Sequence, residues 1–363
     1  MRAKALKLLE RLLPTHSPSG DEGEMEAACL DELDGLCAKV WQDDARNVIG
    51  LIEGSGDASA LRLMAHKDEI GCMVARIDDD GKMRLEALGG AAAWAYGEGP
   101  MDVLGDEVVT GILGIGSKHV SPLSADIHAT KTDTPMNWDK VRLDCKLTRE
   151  ELEAKGIRIG TRVCLARSRK APIRMGDYIA GYAMDDKAAV AVLVLAAQML
   201  KTARKKPERD MYLIMTSAEE VGIQGAAYAA RTLPGDDVIA VDVAPIAPEY
   251  PTKPGPDPVM LYMDGAFIYD KGMSDDLCDM SEKLGHSPQR MAVRGYGSDA
   301  TYVSKYGLAG RVAGVCMPTE NTHGCEIIHI DSVVRCAELL AAYAAGGPVK
   351  PAPRKKKGAK KRG

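Results

Sequence analysis

The chain has 363 residues, too many for one ordinary compact core, so it should hold two domains or one large α/β unit carrying an insertion. With 45% hydrophobic and 27% charged residues, the composition is globular and excludes a disordered, collagenous or coiled-coil chain. The formal net charge of −5 hides a split: residues 349–363 hold eight basic residues and no acid, which leaves 39 basic against 52 acidic residues, a net charge of −13, for the body.

Two helical patterns open the chain, Ala3–Leu13 and Glu22–Leu36, joined by a turn at His16-Ser17-Pro18-Ser19-Gly20. The first mixes Arg2, Lys4, Lys7, Glu10 and Arg11 with leucines, so it reads as an amphipathic helix and not as a signal peptide. Leu61–Ala65 and Cys72–Ile77 read as strands. From about Asp78 to Arg174 the rhythm changes to short β-like runs, Val108–Ile115 and Arg162–Ala166, with one helical piece at Thr148–Lys155. This stretch is expected to be a small β-barrel or sandwich inserted into the main domain. The helix Lys187–Thr202 follows, then strand Met211–Thr216, helix Ile223–Arg231 and strand Val238–Val243. Six prolines make residues 242–264 read as a long loop. Helix Asp275–Leu284, strand Met291–Val293, helix Ala300–Tyr306, strand Arg311–Met317 and helix Asp331–Ala345 complete the body. Strands alternating with helices predict an α/β fold, a mostly parallel sheet with helices on both faces. The expected domains are 1–77 with 175–348, the insert 78–174, and the basic tail 349–363, which should be disordered. The longest apolar runs, such as Ala188–Ala197, are about ten residues, too short to span a bilayer. Nine cysteines without a Cys-x-x-Cys pair point to reduced thiols and a cytoplasmic protein.

Five clusters sit at predicted strand ends, where open α/β sheets bind ligands. His66-Lys67-Asp68 follows the first strand; residues i and i+2 point the same way, so Asp68 can hold the His66 tautomer. Asp185-Asp186-Lys187 opens a helix, where adjacent acids are commonly only caps. Glu219-Glu220 closes an apolar strand; one carboxylate can bind metal while the other acts as a general base. Asp242 lies inside an apolar strand, and a buried carboxylate needs a partner, a metal or a proton. His323 lies in a loop after Arg311–Met317. Taken singly, the first two read more readily as a turn and a cap and the third equally as a turn, whereas that plain reading fits Asp242 poorly. Together they supply the nitrogen and oxygen donors that zinc- or cobalt-like ions take.

In this order the chain resembles the dinuclear-metal aminopeptidases of the tetrahedral and glutamyl type, some of whose members are named endoglucanases. The matching segments are Ser17-Pro18-Ser19-Gly20-Asp21-Glu22, Ala65-His66-Lys67-Asp68-Glu69-Ile70-Gly71, Asp185-Asp186-Lys187, Glu219-Glu220-Val221-Gly222, Val241-Asp242, Gly297-Ser298-Asp299-Ala300 and His323. The resemblance covers about residues 1–345. It implies two divalent ions, zinc or cobalt, bridged by Asp185, with His66 and Asp242 at one and Glu220 and His323 at the other. Glu219 would be the general base and Asp68 the partner of His66. The substrate would be a peptide with a free N-terminus, trimmed one residue at a time. The same resemblance implies a homo-oligomer, from a dimer built through the insert up to a twelve-subunit shell.

Three departures from the family pattern stand out. Lys187 replaces the usual arginine and loses its bidentate fork. His323-Gly324-Cys325-Glu326 brings the acid one residue closer to the histidine than usual. Ser298-Asp299-Ala300-Thr301 is not followed by the histidine many relatives carry. Two other readings remain: a related dinuclear carboxypeptidase or amidohydrolase, and polyanion binding, such as nucleic acid, through the basic tail. No membrane partner is expected. The glycines at 89–90 and 111–116 do not precede a suitable helix, so no nucleotide cradle is expected either.

Overall fold

The computed structural model describes residues 1–132 and 135–349; the basic stretch from Lys350 onward lies outside the described residues. Its centre is built from mostly apolar strands that are buried along nearly their whole length. Leu61–His66 and Met211–Thr216 are buried at every position, as is Asp237–Ala244 within Asp237–Pro245. A strand without a polar face must be covered on both sides, which is the situation of a parallel sheet inside an α/β domain. The pairing follows: Met211–Thr216 lies parallel to Leu61–His66, Leu61–Met64 parallel to Asp237–Ala240, and Asp237–Pro245 parallel to Arg311–Thr319. Because the ladders run in one direction, the carboxyl ends of these four strands emerge along one edge.

The flanks are antiparallel. Lys39–Gln42 and Val48–Ile52 form a hairpin on one side, and Glu326–His329, Tyr178–Gly181 and Ile173–Met175 close the other. Among the described residues, eleven strands belong to this sheet. Alternate residues of the central strands face two separate cores. Leu61, Leu63, Ala65, Leu213, Met215, Val241 and Val315 pack under helices Arg2–Leu12, Met184–Ala203, Lys271–Lys283 and Ile330–Ala344. Met64, Ile214, Val238 and Ala240 pack under helices Gln224–Thr232 and Asp299–Lys305 on the opposite face. The expected helices on both faces are present.

The insert is a closed barrel, with strands in the order Gly71–Ile77, Met83–Leu88, Arg142–Asp144, Val108–Gly114, Gly99–Leu104 and Arg162–Leu165. It has its own core, with Val74, Met83, Met101, Val103, Leu143 and Val163 at its centre. Two expectations change. Gly71–Ile77 belongs to the barrel, so the insert begins about seven residues before Asp78; a short apolar strand carries no mark of which sheet it will join. Ile173–Met175 correspondingly joins the main sheet. The stretch 242–264 is not one loop. Asp237–Pro245 runs on through Pro245, and Val259–Met263 is a strand that pairs antiparallel with Cys316–Gly314. The prolines end at Pro258, and the apolar residues directly after them form a strand paired on both sides, with Gln289–Ala292 and with Arg311–Glu320.

Candidate metal centre

The sequence-predicted residues converge on one cavity of about 470 Å³, lined by His66, Asp185, Glu219, Glu220, Asp242 and His323 together with Tyr250, Arg294, Tyr296 and Tyr302. Each comes from a strand end or helix start at the carboxyl edge of the sheet. His66 is the last residue of its strand, and Asp242 sits within its own. Glu219 and Glu220 follow Met211–Thr216 in a turn where Ala218 has φ 50°. Asp185 lies at the start of helix Met184–Ala203, after Ala183 at φ 61°, and His323 has φ 60° in the turn after Arg311–Glu320. Three non-glycine residues in the left-handed region, at about 1–3 kcal/mol each, mark a site held in place by its surroundings.

Asp185 stands between the two histidines. Its Oδ1 lies 2.9 Å from His66 Nε2, and its Oδ2 lies 3.4 Å from His323 Nε2. His66, Asp185 and Asp242 each present a donor atom within 4.8 Å of the others, and so do Asp185, Glu220 and His323. Glu220 Oε1 is buried without a hydrogen-bond partner. An orphaned carboxylate oxygen, two carboxylate-rich triads and two imidazoles suit a pair of divalent ions.

Asp68 does more than partner a ring. The nearest acceptor to His66 Nδ1 is the Asp68 main-chain oxygen at 3.1 Å, with the carboxylate at 3.4 Å. That leaves Nε2, which faces Asp185, as the nitrogen that could ligate a metal. The Asp68 carboxylate accepts from Ser19 Oγ at 2.6 Å and from the Glu219 and Glu220 amides at 3.0 and 3.3 Å, so it also fixes the turn carrying both glutamates.

The electrostatics follow from crowding acids into a buried space. Burial, reinforced by Asp299 and Glu220 and opposed by His66, raises the Glu219 carboxyl well above the ordinary range. Burial and Asp185 push Glu220 up to about 7. Burial and Asp185 likewise raise Asp242. Burial opposes ionisation of Asp185 too, but the hydrogen bonds from His323 and His66 outweigh it and hold its pKa below the usual aspartate value. Burial disfavours the charged form of His323, yet Asp185 and Glu220 raise it to about 10. Divalent cations would take the place of these protons.

Sequence reasoning assigned no role to four carboxylates that shape the centre. Glu326 accepts from the amides of Met184 and Asp185 at 2.7 and 3.2 Å and of His323 at 3.2 Å. Glu22 accepts from the Ala218 amide at 3.1 Å and pairs with buried Lys67. Asp186 accepts from the His66 amide at 3.1 Å. Asp299 accepts from Thr216 Oγ1 at 2.7 Å. Asp186 and Asp299 each keep one buried oxygen without a partner. The only sequence signal was their place inside the quoted motifs.

A protein termed a putative aminopeptidase from Acetivibrio thermocellus is 29% identical over 236 residues, which is 65% of this chain and 65% of that protein; the match thus spans just under two thirds of that relative. An aminopeptidase from Desulfurococcus kamchatkensis shares the fold at TM-score 0.85 and 23% identity, over 98% of this chain and 99% of that one. So does the TET1 peptidase of Pyrococcus horikoshii, described as assembling into a tetrahedron or a large octahedral shell, at TM-score 0.81 and 22% identity over 95% and 99%. The model of the M42 glutamyl aminopeptidase family matches residues 46–339, a stretch that includes His66, Asp185, Glu219, Glu220, Asp242 and His323, and the chain belongs to that family.

Proposed function

We propose that the protein is a metal-dependent aminopeptidase that removes N-terminal residues from small peptides. The observation that carries this reading is Asp185 with one carboxylate oxygen toward each of two histidines, inside a cavity open to substrate. His66, Asp242 and Asp185 would hold one divalent ion, and Asp185, Glu220 and His323 a second, zinc or cobalt by donor chemistry. Bound there, the ions supply Lewis-acid polarisation of the scissile carbonyl and make water easier to deprotonate.

The chain's own residues supply the rest. Glu219 lines the cavity, with Oε2 3.9 Å from His66 Nε2. It takes a proton from the attacking water at its carboxylate and returns it to the leaving amine. Asp68 holds the Glu219 main-chain amide and so anchors the backbone that carries the base. The Asp68 main-chain oxygen accepts from His66 Nδ1 and keeps Nε2 turned into the cavity.

The test is hydrolysis of aminoacyl-p-nitroanilides before and after chelation, then after zinc or cobalt is restored. Activity should vanish and return; full activity without metal overturns the reading. Glu219→Gln should lower kcat by about 10²–10⁴-fold while metal content stays near two ions per chain, as loss of a general base does. We also propose that the chain self-assembles through its barrel and works in a reducing, cytoplasmic compartment. The first is checked by light scattering. All nine cysteines are free, which agrees with the second.

A further inference from the structure

A second buried cluster, which the proposed reaction does not use, lies between the barrel and the sheet. Lys170 sits where the chain leaves the barrel, just after the turn Arg167–Arg169, and is fully buried. Its Nζ meets three acceptors: the Thr15 main-chain oxygen at 2.6 Å, Glu69 Oε1 at 2.7 Å and His16 Nδ1 at 3.0 Å. An ammonium has three donors, and all three are used. Lys187 is also fully buried and lies two residues after Asp185. It donates to the same Thr15 oxygen at 2.8 Å and lies 3.4 Å from the same Glu69 oxygen.

The cluster reaches into the barrel through His16. Because Lys170 only donates, His16 Nδ1 is the acceptor, and Nε2 carries the hydrogen toward Asp102 Oδ2 at 3.0 Å. Asp102, on strand Gly99–Leu104, accepts also from Thr110 Oγ1 at 2.6 Å and the Arg167 amide at 3.0 Å. Cys164 Sγ lies 3.1 Å from His16 Nδ1. His16, Glu69 and Cys164 present three metal-binding atoms within 4.8 Å of one another. Lys170 Nζ, however, already bonds two of the three residues, so the cation of this pocket belongs to the chain.

Glu69 links this cluster to the metal centre. It follows Asp68, whose main-chain oxygen receives His66 Nδ1 and whose carboxylate holds the Glu219 and Glu220 amides. Glu69 also accepts from the Ser17 amide at 2.9 Å. Its carboxylate is thus gripped by a lysine from the barrel's return and by a lysine from the helix that carries Asp185.

We propose that Lys170 is a positioning residue for the metal centre. By holding Glu69 between itself and Lys187, it fixes the segment His66–Glu69 against the start of the helix bearing Asp185. The docking of the barrel thereby sets how tightly the catalytic domain binds its ions. This inference rests on reading the carboxylate–histidine site as a metal centre. Removing the Lys170 ammonium leaves a buried carboxylate, a carbonyl and an imidazole short of donors, and such groups move toward other partners. Glu69 would follow Lys187 or water and carry the His66–Asp68 segment with it.

The experiment is a Co²⁺ titration of the full chain, followed by visible absorption, with thermal midpoints measured alongside. Wild type is compared with Lys170→Met, with the milder Lys170→Gln, and with Leu152→Ala. Leu152 is buried in the barrel core, and its truncation lowers stability without touching the cluster. Lys170→Met should weaken Co²⁺ binding about tenfold or more and alter the absorption bands, in line with losses seen when groups orienting metal ligands are removed. Lys170→Gln should do the same to a smaller extent, which keeps the question open to measurement if the methionine variant does not fold. Leu152→Ala should lower the thermal midpoint and leave affinity and spectrum unchanged. Wild-type affinity and spectrum in both lysine variants overturn the proposal. So does an equal loss of affinity in Leu152→Ala, which assigns the effect to general destabilisation. A wild-type protein that binds no Co²⁺ instead refutes the metal-centre reading.

Discussion

Glu326 lies beneath the centre and orders it through main-chain amides alone. One oxygen takes the Met184 and Asp185 amides and the other the His323 amide, so a single side chain ties the backbone at Asp185 to that at His323. Burial and the neighbouring Asp185 raise its carboxyl to about 8. Glu326→Gln keeps the size but replaces one acceptor with a donor, which then faces an amide hydrogen. Metal affinity should fall about 10–100-fold, the usual cost of losing a group that orients ligands, with the fold retained; calorimetric titration with zinc checks it. The sequence shows Glu326 as an acid three residues past His323, but not that its oxygens point back toward two backbone turns. His66, Asp185, Glu219, Glu220, Asp242 and His323 were legible because each breaks an apolar pattern at a strand end or helix start. Residues that work through backbone amides break no pattern.

At the level of elements, the barrel touches the centre through a loop. After strand Met83–Leu88, residues Gly89 and Gly90 approach the cavity. A Cβ on Gly90 would lie 2.2 Å from His323 Nδ1, and one on Gly89 would lie 3.0 Å from Glu220 Oε2. These glycines read in the sequence as an unplaced glycine pair, because their need for small size comes from residues 130 and more positions away. Gly90→Ala must push the His323 ring aside, since no real contact is that short. Binding of one of the two ions should weaken by about tenfold or more while the thermal midpoint moves little; metal analysis after dialysis should then give nearer one ion per chain than two. The helix Met184–Ala203 is the opposite case. Its run Ala188–Ala197 is buried throughout, which the apolar stretch in the sequence already indicated. The strands Val259–Met263 and Tyr178–Gly181 were not legible, since short segments next to prolines and glycines carry too few residues to show a period.

At the scale of the whole molecule, two cores meet across a polar seam in which Asp102 of the barrel faces His16 of the main domain. Burial opposes ionisation of Asp102, but hydrogen bonds from His16, Thr110 and the Arg167 amide outweigh it, and its pKa lies well below the ordinary aspartate value. A depressed pKa contributes stability that is complete above the unfolded value, about 3.9, and is lost as pH falls toward the folded value. Asp102→Asn should therefore lower stability at pH 7 by roughly 2 kcal/mol, on the scale of a hydrogen bond to a charged group. The gap between wild type and variant should narrow below about pH 4. Urea midpoints at pH 7, 5 and 3.5 check it; a constant gap would assign the loss to packing. The overall architecture of alternating strands and helices with a β insert was readable from residue order. The seam was not, because His16, Asp102, Cys164 and Lys170 are ordinary residues until the fold brings them together.

The proposed ligand set draws on positions 66, 185, 220, 242 and 323, so no piece of the chain shorter than residues 66–323 contains it. The central strand Asp237–Pro245 must also wait for Arg311–Glu320 to complete its pairing. During synthesis, a nascent chain that has not yet exposed His323 has lost one imidazole of the pair and cannot grip the second ion. Capture of both proposed ions thus requires the chain to be complete through His323. A fragment that ends before His323 would lack part of the proposed centre.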